Sequence, residues 1–184
     1  VDRWLVKPLA PPKARYFIVH TMFNFWVAAT VWRSALEALA DPSHALAFGS
    51  GGFTDSQVAS TAGIAAFHLY HAVAYTGLAK EEWIHHVVSC AFVPVIGINF
   101  PFAGVADVCN LGMCAVPGGV DYLLLALQKC DCRLAPSRVT QKKVSAFNNL
   151  ILRWPLMLLS TYMFLVGWSN GTLAAASAAG KHPM

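Results

Sequence analysis

The chain has 184 residues, 57% of them hydrophobic and 12% charged, with a mean hydropathy of +0.51. A water-soluble domain of this length cannot hide so much apolar side chain, so the composition argues against a soluble globular fold and predicts one helical membrane domain. The net charge of +4 rests on few residues with no basic stripe, which speaks against a nucleic-acid partner; the five cysteines follow no zinc or disulfide spacing and leave the redox compartment open.

Residues 1–15 form an N-terminal arm carrying Arg3, Lys7, Lys13 and Arg15, and Val1 in place of Met leaves room for an upstream transit or signal segment. Residues 16–39 are apolar and aromatic, long enough at 1.5 Å per residue to cross a hydrocarbon core of about 30 Å. Arg33 and Glu37 form an i,i+4 pair near the far end, and Asp41-Pro42 stops the helix before a Gly-rich loop over 43–53. Thr54-Asp55-Ser56-Gln57 reads as a capping box for a second span, 58–78, whose small residues Ala59, Gly63 and Ala66 let another helix approach.

A short polar turn, Lys80-Glu81-Glu82, separates that span from a third over 84–100, so the two are antiparallel neighbours with Trp83 at the interface. The sequence 100–104 turns the chain into a fourth span, 105–127, which Pro117-Gly118-Gly119 is expected to interrupt. Residues 129–143 form a basic loop with Lys129, Arg133, Arg138, Lys142 and Lys143. The fifth span, 147–168, has Arg153 and Trp154 at one end and Trp168 at the other, and a small-residue tail over 171–184 follows the transmembrane domain of 16–170. Five crossings place the arm, the Lys80 turn and the basic loop on one side, as the excess of Lys and Arg in cytoplasmic loops requires.

Polar groups inside a bilayer are costly and are functional candidates. His20 and Asn24 lie one turn apart on the first span and read foremost as packing residues. His68, His71 and Tyr75 share a stripe of the second, with His85 and His86 opening the third near the same membrane face. An HxxH with an HH falls short of a di-iron histidine set, so the sequence assigns no metal site. Single imidazoles do ligate haem iron or chlorophyll magnesium, which makes His68, His71 and His85 candidate ligands for either group. Asp107, Asn110 and Cys114 share a face of the fourth span and, with Tyr75, are expected in a polar core. Asp121 follows Pro117-Gly118-Gly119, and His85 or His86 with Asp121 is the pair expected for any acid-base chemistry, against an equally plain reading as a hydrogen-bond network that fixes packing.

The run His71-Ala-Val-Ala-Tyr75, then Glu82-Trp83-Ile84-His85-His86, Asn110 and the stretch from Gly119-Val-Asp121 to Lys129 resembles the TLC-domain family of ceramide-synthase-like membrane proteins over roughly the central third of the chain. The resemblance implies a helical barrel around an acyl-chain tunnel, lipid as ligand, and catalytic roles for His85, His86 and Asp121. Pro117-Gly118-Gly119 stands where the synthase pattern has a His-Asp.

Two functions follow from different classes. One is a non-catalytic, lipid- or pigment-contacting membrane subunit that packs with other membrane proteins in a plastid photosystem or a mitochondrial complex. The other is a TLC-type lipid enzyme or lipid-homeostasis protein of the endoplasmic reticulum, a setting that a glycan on the Asn170-Gly171-Thr172 sequon would favour.

Overall fold

The computed structural model of the chain describes residues 2–46, 53–75, 78–99, 102 and 104–171, and every regular element among them is helical. The long helices are α1 (Pro12–Ala40), α2 (Asp55–Ala74), α3 (Lys80–Asn99), α4 (Gly104–Lys129) and α5 (Arg138–Ser169). Each overlies one of the five predicted spans. By length and composition, α4 with 26 residues and α5 with 32 are the two helices able to cross a membrane among the described residues. The positions of loop 47–52, of the turn at 100, 101 and 103, and of the tail from 172 lie outside the described residues.

Local chemistry sets the helix ends. The Thr54 hydroxyl accepts the Gln57 N–H at 3.1 Å and starts α2, as the capping box predicts. Ser137 does the same for the Thr140 N–H at 3.1 Å, so α5 begins at Arg138 and the second half of the predicted basic loop is helical. Lys80-Glu81-Glu82 is likewise the first turn of α3 and not a free turn. Acidic side chains suit the positive end of a helix dipole, and Glu82 also accepts the Ala79 N–H at 2.7 Å. α1 stops at Ala40, one residue before Asp41-Pro42, and Pro42–Leu46 forms a short helix of its own.

Pro117-Gly118-Gly119 does not interrupt α4. The helix continues through it, with all three residues buried, and changes one turn earlier, where Leu111–Ala115 forms a wide π turn. The same arrangement recurs at the N-terminus and in α5: π turns at Asp2–Val6 and Asn149–Arg153 end two residues before Pro8 and Pro155. A helical proline has no N–H for the carbonyl four residues back and its ring crowds that carbonyl. Widening the preceding turn moves the carbonyl aside, and insertion of such a turn keeps the helix running where a break was expected.

The chain forms two compact units, Val1–Ala29 with Cys109–Leu159, and Thr30–Val108 with Ser160–Met184. In the first, α1 crosses α4 at the glycine pair: a Cβ on Gly118 would lie 2.8 Å from Asn24 Nδ2, and one on Gly119 would lie 2.8 Å from Phe25 Cε1. The two glycines therefore serve close helix approach. In the second unit α2 and α3 pack as an antiparallel pair. Thr61 fills the space beside Gly97, and Gln57 Nε2 donates to the Gly97 carbonyl at 3.3 Å.

Candidate functional site

The second unit gathers imidazoles at one end of the α2–α3 pair. His68 lies six residues before the last residue of α2, Ala74, and His86 six residues after the first of α3, Lys80. In an antiparallel pair with a short connection, residues equally far from the turn come level, so this spacing carries the two onto one another. His68, His85 and His86 each present a ring nitrogen, and these three atoms lie within 4.8 Å of one another. His68 Nε2 and His85 Nε2 are 3.1 Å apart.

Hydrogen bonding fixes the tautomer of His68. Its Nδ1 lies 2.7 Å from the Ile64 carbonyl, one turn back on α2, and must donate there; Nε2 is thus the lone-pair atom that turns toward His85. His71 follows the same rule, with Nδ1 donating to the Phe67 carbonyl at 2.9 Å. The His71 ring lies parallel to the rings of His86 and Tyr75, with centroids 5.6 Å and 4.9 Å away. Tyr75, expected on the helical stripe, is instead the residue that caps the end of α2, yet it keeps its place against His71. His86 is 1% exposed, and neither of its ring nitrogens has a hydrogen-bond partner. His85, by contrast, is exposed.

Asp107, also in this unit, is fully buried and accepts the Ser56 hydroxyl at 2.6 Å. The sequence marked Asp107 and missed Ser56, although Ser56 sits inside the capping box. Asn110 is buried on the same helix, and Cys114 donates to its carbonyl at 3.4 Å.

Asp121 belongs to the first unit and has partners of its own there. Asn148 Nδ2 donates to Oδ1 at 3.2 Å, Ser145 to Oδ2 at 3.3 Å, and Arg153 approaches Oδ2 at 3.6 Å. Arg153 also bonds the Asn149 side chain and donates from Nε to the Met113 carbonyl at 3.1 Å. Met113 is the residue four before Pro117, so the guanidinium donates to a carbonyl whose i+4 partner is a proline without an N–H. Sequence reasoning noted Arg153 as a membrane-edge cation and missed this role; a proline and an arginine on separate apolar segments were the available signal. His20, on α1, donates from Nδ1 to the Tyr16 carbonyl at 2.9 Å and stacks on Tyr122 at 4.3 Å, and Asn24 is buried against Gly118.

Comparison with protein-family models, characterised proteins and solved structures gives no match for this chain.

Proposed function

We propose that the protein is a non-catalytic integral membrane subunit, crossing the bilayer with α4 and α5, which are long and apolar enough by themselves, and with α1, α2 and α3 completing the five spans expected from the sequence, and offering the imidazole cluster of α2 and α3 to a guest group. The observation that carries this reading is an inverted distribution of polarity. Large apolar side chains are turned outward along α5, with Leu158 and Tyr162 each 65% exposed, while His71, His86, Asp107, Gln57 and Asn148 are buried. Water would penalise both halves of that arrangement; hydrocarbon favours the first, and hydrogen bonding within the bundle answers most of the second. A non-catalytic role is supported by the surroundings of the histidine pair. Among the described residues no carboxylate is hydrogen-bonded to His85 or His86, and the carboxylate of Asp121 is occupied by Ser145, Asn148 and Arg153.

Carbonate washing of membranes followed by detergent purification tests this reading. The chain should stay with the membrane pellet and then co-purify with other membrane proteins at fixed stoichiometry. Recovery as a detergent-free monomer overturns the membrane assignment. Turnover of an acyl-CoA by the isolated chain, abolished by His86→Ala without loss of fold, overturns the non-catalytic one and favours a TLC-type enzyme.

A further inference from the structure

We infer that His68, His85 and His86 bind one divalent transition-metal ion of the zinc class, leaving one coordination position open. The inference names the guest for the cluster in the reading above, and rests on that reading in treating the cluster as a binding site and not as packing.

Three observations converge on an ion. First, the nitrogens are already close. Zinc holds imidazole nitrogen at about 2.0–2.1 Å in tetrahedral geometry, which sets ligand atoms roughly 3.3 Å apart. His68 Nε2 and His85 Nε2 stand at 3.1 Å, and no pair of the three ligand atoms exceeds 4.8 Å. The remaining closure is small, and His85, exposed on its helix, has room to turn.

Second, His68 is oriented as a ligand. Its Nδ1–H is held by the Ile64 carbonyl, so the lone pair on Nε2 faces the cluster. A backbone carbonyl on the far nitrogen is the usual support of a metal-bound imidazole, since it fixes the ring and raises its basicity. Without an ion, the 3.1 Å contact is an Nε2–H of His85 donating to that lone pair.

Third, His86 is 1% exposed and neither ring nitrogen has a hydrogen-bond partner. A buried imidazole in that condition forfeits hydrogen bonds it had in water, and an ion between it and its two neighbours restores one strong interaction.

The same geometry separates an ion from a haem or chlorophyll. A flat macrocycle accepts at most two axial imidazoles, from opposite faces; two Nε2 atoms at 3.1 Å leave no plane between them, and a third converging nitrogen has no axial position to occupy. Three imidazoles without a thiolate or an all-oxygen shell select zinc, copper or iron over calcium and magnesium. Glu82, three and four residues ahead of His85 and His86 on α3, adds a negative charge at this end of the helix.

The test uses the full chain purified in detergent, freed of metal by chelation and checked for a monodisperse elution profile. Zn²⁺ should be retained at one equivalent per chain after desalting, and Co²⁺ in its place should give the intense visible bands of a four-coordinate site. His68→Ala or His86→Ala should weaken retention by at least about 100-fold, beyond the loss typical of a supporting residue. His20→Gln, in the other unit, should leave retention unchanged. His86→Cys guards against variants that merely fail to fold, because it keeps a ligand and should add a thiolate-to-cobalt charge-transfer band. Absence of zinc binding by the folded chain, retention in His68→Ala and His86→Ala as strong as in the unaltered chain, or the absorbance of a bound macrocycle in the native preparation overturns the inference. Metal content is read independently of carbonate extraction and co-purification, so failure of one proposal is distinguishable from failure of the other.

Discussion

Arg153 is the residue on which most of the first unit's polar chemistry converges: the Asp121 carboxylate, the Asn149 amide and the Met113 carbonyl all meet its guanidinium. Its planar fork of donors serves three acceptors in different directions, which a lysine ammonium on a flexible stem cannot do equally well. Arg153→Met is expected to destabilise the detergent-solubilised protein by about 3 kcal/mol, because it leaves a partly buried carboxylate and a carbonyl without their donor. Asp121→Asn should cost about 1 kcal/mol, since an amide oxygen still accepts from Ser145 and Asn148. Denaturant unfolding of both variants checks the order, and a larger loss for Asp121→Asn would show that the carboxylate, and not the arginine, organises the cluster. The sequence placed Asp121 and Arg153 at membrane depth but not together. A pairing between residues on different helices depends on helix register, and a single chain of letters carries no trace of it. The imidazoles were more legible, because both histidine pairs lie near one end of neighbouring antiparallel segments, but their exact level follows from Lys80–Glu82 being helical, where the sequence showed a turn.

Helix positions were legible because long apolar runs bounded by Asp-Pro, a capping box and a polar cluster leave few alternatives. The behaviour of Pro117-Gly118-Gly119 was not, since the same three residues signal a turn in one setting and a close helix crossing in another. What distinguishes them is the π turn upstream and the neighbours that occupy the missing Cβ positions. α4 and α5 meet at one such place, where Leu156, past the π turn of α5, fills the space beside Gly112 in the π turn of α4. A Cβ at Gly112 would overlap Leu156 Cβ, an atom fixed to the backbone, whereas at Gly118 it would meet the end of the Asn24 side chain. Gly112→Ala should therefore be the costlier change, by about 1–3 kcal/mol against a smaller loss for Gly118→Ala. Leu156→Gly in the Gly112→Ala background, which removes the overlapping Cβ, should recover part of the loss, and a double-mutant cycle showing no coupling between the two positions would refute the packing account.

At the scale of the whole chain, the deciding question is whether α5 passes through a bilayer or lies along another protein. The helix has 32 residues, about 48 Å at 1.5 Å each, which exceeds the hydrocarbon thickness of about 30 Å. Its two parts differ: Arg138–Asn148 carries Arg138, Lys142 and Lys143, and the uncharged run after Arg153 reaches Ser169 with Trp154 and Trp168 at its ends. If this helix spans, its cations lie in the headgroups, a tryptophan sits near each interface, and the uncharged run of 16 residues, about 24 Å, is extended by the apolar residues before Arg153. Cys132, before the first turn, and Asn170, after the last, should then face opposite compartments. In a chain whose other cysteines are replaced, an impermeant maleimide should label Cys132 from one side of sealed membranes, and Asn170→Cys, with Cys132 also replaced, from the other. Labelling of both from one side would mean that α5 does not cross, and the outward apolar face of Leu158 and Tyr162 would then need a protein partner to cover it.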